Sequence, residues 1–246
     1  MLSRFSSGNT TGVSQATCLL TCGGSGNLWP LPNGRLTIGE GILPVSTIPP
    51  FHALSQKSKK PMGSRVKKLL NEAERLFRQD LEALNAGKGS AILQGSASRL
   101  PTTDLCASGS KKCHQSDQAA ATVHVTIFIS HPLIVVPSTD VNETYSLSIS
   151  SSSKGSGGPS KSSQRGHRIS VVISAETFFG ARHGIETLSQ LFSWEPYIGG
   201  GNARGSLVMA SNVSLIGDGP IFRHRGVMLD LARHFLPIHT IKSTIR

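Results

Sequence analysis

The residues best placed to do chemistry stand near the C-terminus, in Gly226-Val-Met-Leu-Asp-Leu-Ala-Arg-His-Phe-Leu-Pro237. Asp230, Arg233 and His234 bring a carboxylate, a guanidinium and an imidazole into one short stretch. The apolar run Val227–Asp230 predicts a short buried strand that delivers these side chains to its C-terminal mouth. Parallel barrels carry their catalytic and binding groups at that end of each strand. The segment 238–246 then predicts a helix with no room to finish. The pattern is that of a first βα step of a larger barrel, and about 250 residues are needed to close one. The expectation is therefore an enzyme of which this chain carries only the beginning.

A second group of chemical side chains lies in Ser174-Ala-Glu-Thr-Phe-Phe-Gly-Ala-Arg-His-Gly-Ile-Glu-Thr-Leu-Ser-Gln-Leu191. Arg182, His183 and Glu186 have the residue types of a catalytic trio. The plainer expectation is that they cap and brace a helix docked against a neighbouring domain. Gly180 and Gly184 weaken that helix, so a close contact must demand them.

The elements that would hold these groups come from the periodicity of the chain. Residues 1–27 are expected to be disordered. Leu28-Trp-Pro-Leu-Pro-Asn-Gly34 predicts an extended segment ending in an Asn-Gly turn. A strand is expected over 36–45. Val66, Leu69, Leu70, Ala73, Leu76, Phe77, Leu81 and Leu84 recur at helical spacing, and Asn85-Ala-Gly87 supplies the stop. Strands are expected over 123–129, 143–149 and 169–173, by alternation of apolar and polar residues. A helix is expected over 181–192, and a strand or strand pair over 206–215. Flexible insertions are expected near 86–119 and 150–166. The fold class that follows is α+β, a small open sheet with two helices on one face.

Composition narrows the function. The 246 residues carry a formal charge of +11, from 25 Lys and Arg against 14 Asp and Glu. Such a balance suits an anionic partner, nucleic acid or membrane surface. The densest basic run, Lys57–Lys68, has no interleaved aromatics for base stacking, so no nucleic-acid partner is expected. Cys18, Cys22, Cys106 and Cys113 form two close pairs, neither a CxxC and neither near a histidine cluster, so no metal site or cofactor is expected. The pairs suit disulfides in an oxidising compartment. Sequons at Asn9, Asn142 and Asn212 agree with the secretory pathway, extracellular, lysosomal or membrane-associated. No signal-peptide-like apolar run opens the chain. Val123–Pro137 is too short and too interrupted to span a bilayer.

Phe178–Leu191 resembles the Phe-Gly-Ala-Arg-His-Gly-Leu-Glu-Thr-Leu-Ser-Gln-Leu signature of the β-N-acetylhexosaminidases of glycoside hydrolase family 20. His224–Pro237 resembles that family's approach to its barrel, His-Arg-Gly, three apolar residues and Asp-Thr-Ser-Arg-His. Cys18–Cys22, Leu28–Gly34 and Asn142-Glu-Thr-Tyr-Ser-Leu resemble segments of the insect chitin-degrading and N-glycan-trimming (fused-lobes) types. The resemblance implies a non-catalytic α/β domain over 28–220 and the start of a (β/α)8 barrel over 221–246. It implies hydrolysis of terminal N-acetylglucosamine or N-acetylgalactosamine, with the sugar's own acetamido oxygen attacking the anomeric carbon, an exception to the two-carboxylate scheme. The Asp-Glu pair the family uses is absent from these 246 residues, so the chain alone is expected to be inactive.

The family's sugar-gripping arginine corresponds to Arg233, whose guanidinium can donate two hydrogen bonds in fixed geometry. Asp230 is then its brace or a structural residue, and Arg225 structural. Leu231-Ala232 replaces the family's Thr-Ser and removes two hydroxyls from that rim. The partners implied are terminal N-acetylhexosamine glycans and, for the longer enzyme, a second copy in a homodimer. The alternative expectation is a binding or assembly module that kept the N-terminal domain without the barrel.

Overall fold

The computed structural model describes residues 14–21, 28–55, 62–86, 120–153, 167–195 and 206–245. The elements are α1 (Gln15–Thr21), β1 (Arg35–Ile38), β2 (Ile42–Thr47), β3 (His52–Ser55), α2 (Ser64–Ala86), β4 (Ala121–Ile129), β5 (Tyr145–Ser153), β6 (His167–Ala175), α3 (Phe178–Ser189), β7 (Phe192–Glu195), β8 (Ser206–Ala210), β9 (Val213–Asp218) and α4 (Ile238–Ile245). Among the described residues no helix is long and apolar enough to cross a membrane.

The strands form one nine-stranded sheet in the order β1-β9-β5-β6-β4-β2-β8-β7, with β3 on β4. The expected sheet is therefore larger than a small one, and it curls where β2 leaves β4 for β8. Strict alternation explains its centre: β4 buries Val123, Val125, Ile127 and Ile129 and leaves the intervening residues half-exposed. Register lines these up with their neighbours. Leu215, Leu147, Ile173, Ile127 and Ala53 make one continuous row across five strands. The β5–β6 hairpin pairs from Tyr145↔Ala175 out to Ser153↔His167. Residues 150–153 thus lengthen β5 instead of opening the insertion. Positions 154–166 and 87–119 lie outside the described residues.

The helices close the inner face. α2 sends Val66, Leu70, Ala73, Phe77 and Leu81 into the core, and Phe77 sits against Phe51 and Phe192 with ring centroids 5.2 and 5.8 Å away. Its Arg78 guanidinium donates to the Ile48 and Pro49 carbonyls at 2.9 and 3.0 Å and pairs with Glu74 at 2.7 Å. Glu74 in turn accepts from the Phe51 N–H at 3.2 Å. This clamp holds the crossover that turns β2 into β3.

Two segments depart from the sequence expectations. Residues 15–21, expected to be disordered, form α1 with Thr17 and Leu20 buried. Ser14 caps the helix, and its own N–H donates to the buried Glu195 carboxylate at the end of β7, 2.8 Å away. Nothing local in the sequence announces that tether. Residues Val227–Asp230, expected as a buried strand, are irregular and exposed, Val227 at 84 % and Met228 at 90 %. A parallel strand draws its hydrogen bonds from neighbours, and none flanks these residues among those described. The helix expected after them is present as α4.

α3 explains the two glycines. Thr177 caps it, donating to the Asn142 carbonyl at 2.7 Å and accepting from the Gly180 N–H at 3.4 Å. The helix lies so close to β5 that a Cβ on Gly180 would sit 2.6 Å from the Thr144 carbonyl oxygen. One on Gly184 would sit 2.7 Å from the Ile173 side chain and 3.1 Å from the Tyr145 ring. Alanine at position 180 gains ~1 kcal/mol of helix propensity, but the carbonyl is backbone and cannot step aside. We expect Gly180→Ala to lose a net ~1–3 kcal/mol, seen as a lower urea midpoint at unchanged slope. A raised midpoint would show that α3 is not seated at this distance.

Candidate functional site

The site lies where the chain leaves the sheet. β9 alternates normally through Val213 and Leu215, then breaks register: Leu147 pairs with Leu215 but Tyr145 with Asp218. Gly217, at φ 69°, takes the left-handed conformation that forms the bulge. Without it Asp218 would face outward. With it the carboxylate turns inward and is buried.

That carboxylate gathers three other parts of the chain. Asp218 Oδ2 accepts from the Tyr145 hydroxyl at 2.6 Å, and the same hydroxyl meets Thr187 Oγ1 of α3 at 2.5 Å. Asp218 Oδ1 accepts from the backbone N–H groups of Asn33 and Gly34 at 2.9 and 3.2 Å. The Asn33 side-chain amide donates to the Gly219 carbonyl at 2.8 Å. One turn away, the Gln190 amide forms a two-point bond to the Trp29 backbone, accepting at 2.6 Å and donating at 2.9 Å. The segment 28–34 is thereby laced to both α3 and β9. A cavity of about 500 Å³ opens above, rimmed by Trp29, His183, Glu186, Phe222 and Arg225.

The outgoing chain is held by a second cluster. Arg225 donates from Nη2 to both Glu143 oxygens, at 2.9 and 2.7 Å, and from Nη1 to the Phe222 carbonyl. His183 Nε2 stands 3.4 Å from the same carboxylate. Arg182 and Glu186 face each other at 3.9 Å on the exposed side of α3. Arg182, His183 and Glu186 thus do not converge: His183 turns to β5's approach, and the other two form a surface pair. Asp218 and Glu143 are both committed to partners.

Beyond Arg225, Arg233 Nε pairs with Asp230 Oδ2 at 3.2 Å, and Asp230 Oδ1 accepts from the Ala232 N–H at 3.0 Å. Arg233 is 85 % exposed in this pair, and no other protein group among the described residues meets it. His234 is exposed. Asn142 and Asn212 are exposed, the Asn142 amide donating to Glu176 at 2.7 Å; Asn9 lies outside the described residues. Cys18 is disulfide-bonded, and Cys22, Cys106 and Cys113 lie outside the described residues. No cluster of three His, Cys, Asp or Glu groups fit to hold a metal occurs among the described residues.

Sequence reasoning missed Tyr145, Thr187, Gln190 and Asp218. The available signal was the Asn33-Gly34 turn together with an acidic residue ending an apolar strand at Asp218-Gly219-Pro220.

Burial first, and then the hydrogen bond to the Asp218 carboxylate, push the Tyr145 phenol above the ordinary tyrosine range. A pKa raised on folding gives stability that is complete below the unfolded value of about 10 and is lost as pH rises toward the folded value. In a Tyr197→Phe background, absorbance at 295 nm should show Tyr145 still protonated where a free tyrosine has ionised, and unfolding free energy should fall above pH ~10. Tyr145→Phe leaves Asp218 and Thr187 without this partner and should cost ~1–3 kcal/mol by urea denaturation. An unchanged midpoint would contradict the geometry.

Two family matches cover the chain in order. Residues 28–191 match the family described as beta-acetyl hexosaminidase like, and residues 222–246 match the catalytic domain of glycosyl hydrolase family 20. The chain is 28 % identical over 233 residues to the chitooligosaccharidolytic beta-N-acetylglucosaminidase of Bombyx mori, covering 95 % of this chain and 31 % of that protein. It is 30 % identical to the probable beta-hexosaminidase fdl of Drosophila melanogaster, covering 95 % and 33 %. A shorter stretch, 35 % of this chain, is 37 % identical to beta-hexosaminidase subunit beta of Mus musculus. The chain therefore spans roughly a third of the length of the insect relatives. On the strength of the first match, which covers more than half its residues, the chain belongs to the β-hexosaminidases of glycosyl hydrolase family 20.

Proposed function

We propose that these residues form the support domain and the first barrel segment of a β-N-acetylhexosaminidase. Its reaction removes terminal non-reducing N-acetylglucosamine or N-acetylgalactosamine from chitooligosaccharides or N-glycans, by substrate-assisted catalysis with retention. The observation that carries the reading is the order of the two family matches within one chain, joined at the bulge and ion-pair cluster around Asp218 and Arg225.

Arg233 is the residue of this chain that touches substrate in this reading. Its pairing with Asp230 fixes the Nε side of the guanidinium, leaving the Nη donors for two adjacent sugar hydroxyls. Asp230 positions Arg233 and takes no part in bond breaking. The acetamido oxygen attacks the anomeric carbon, and an Asp-Glu pair orients that group and protonates the leaving oxygen. That pair has no counterpart here, because no Asp-Glu dipeptide occurs in the sequence. A secretory compartment is part of the proposal, supported by the Cys18 disulfide and the exposed Asn142 and Asn212 sequons.

The test is release of p-nitrophenol from the β-N-acetylglucosaminide. The 246 residues alone should release none. The same reading frame extended through the barrel should be active. In that protein Arg233→Ala should lower kcat/KM by roughly 10–100-fold, the loss of charged hydrogen bonds to substrate, and Arg233→Lys should restore little of it. Activity of the 246 residues, or an extended Arg233→Ala enzyme with wild-type kcat/KM, would contradict the proposal. Parallel assays on chitooligosaccharides and on terminally N-acetylglucosaminylated N-glycans identify the preferred substrate.

A further inference from the structure

The basic run near the start of α2 has no part in the glycosidase reading. Lys57, Lys59, Lys60, Arg65, Lys67 and Lys68 fall in one stretch that contains no Asp or Glu. Of these, Arg65, Lys67 and Lys68 lie among the described residues, all exposed at the beginning of α2. The first turn of this helix holds no acidic residue. Cations there oppose the positive end of the helix dipole, where carboxylates are favoured, so helix stability does not account for them. No carboxylate among the described residues neutralises them either. Glu72 and Glu74 are taken by Arg75 and Arg78, at 2.6 and 2.7 Å.

An apolar tip stands beside these cations. After β4 the chain turns through His131–Pro137, pinned by the His131 N–H on the Glu176 carbonyl at 2.7 Å and the Ile134 N–H on the His131 carbonyl at 3.3 Å. Val135 packs against α2 and lines an open groove with Arg65, Lys68 and Leu69. Its sequence neighbours on the same turn are uncovered, Leu133 at 91 % exposure and Val136 at 70 %. Single exposed aliphatics are ordinary. Two on one pinned turn, adjoining unpaired cations, match the chemistry of an anionic bilayer surface. Headgroups meet the basic side chains, and the apolar side chains enter the interfacial layer.

We propose that this face docks peripherally on an anionic membrane, with Arg65 and Lys68 on lipid headgroups and Leu133 and Val136 in the interface. The proposal is independent of the glycosidase reading and survives its failure.

Vesicle co-sedimentation of the 246-residue chain tests it, using phosphatidylcholine alone and with roughly a third phosphatidylserine. Binding should require phosphatidylserine and weaken as salt rises. Arg65→Gln with Lys68→Gln should lower partitioning by about tenfold or more and flatten the salt dependence. Leu133→Ser with Val136→Ser should lower it by about tenfold with the salt dependence kept. Circular dichroism of each variant confirms that it is folded. Both sites are exposed, and a loss by either pair in a folded protein supports the proposal only if the other pair loses binding too. Equal binding to both lipids, or no binding, overturns it. Unchanged vesicle binding by the Leu133/Val136 variant, with heparin competing fully, also overturns it and assigns the face to a soluble polyanion.

Discussion

The carboxylate of Asp218 is the fixed point on which the exit from this domain depends. A buried charge without partners is costly, and this one is supplied with the Tyr145 hydroxyl and the N–H groups of Asn33 and Gly34. Those donors come from β5 and from the segment before β1, while Thr187 adds α3 through the same hydroxyl. Sequence separations of 73 and 185 residues are closed by single hydrogen bonds. All three donors converge on one carboxylate and so belong to one hydrogen-bonded network.

This constraint explains why the bulge exists. A regular β9 would end with Asp218 on the outer face, and the chain would leave on the wrong side of the sheet. The extra residue at Gly217 turns the acid inward, and the outgoing residues 219–222 and Arg225 share a cavity with His183, Glu186 and Thr187 of α3. Arg225 then bonds Glu143, two residues before Tyr145, so the outgoing chain is gripped at both ends of one short path. After that grip the apolar residues Val227, Met228 and Phe235 are exposed.

Local pattern made most of the centre legible. Alternation located β4, β5 and β6 because one face of each is fully buried. Helical spacing located α2, whose stripe faces the core from Val66 to Leu81. The glycines of α3 foretold a close contact, and the structure identifies it as the start of β5. What stayed hidden depends on partners distant in sequence. β3 is short and exists because the Arg78–Glu74 clamp turns the chain onto β4. The helix expected to reach Phe192 stops at Ser189, because Phe192–Glu195 finds an antiparallel partner in β8. The strand expected at Val227–Asp230 failed for the converse reason, having no partner beside it. Asp230 and Arg233, three residues apart in sequence, pair at 3.2 Å, whereas the Tyr145–Asp218 knot emerges only once the bulge is known.

The described residues between Leu28 and Asp218 form the platform from which the segment carrying Arg233, proposed above to hold the sugar, departs. The most direct measurement is a crystal structure of the chain extended through its barrel, soaked with an N-acetylglucosamine-derived inhibitor. The account predicts Arg233 nitrogens at about 3 Å from two sugar hydroxyls, with the Tyr145–Asp218 and Arg225–Glu143 contacts intact below. A sugar bound elsewhere, with Arg233 turned to solvent, would contradict it.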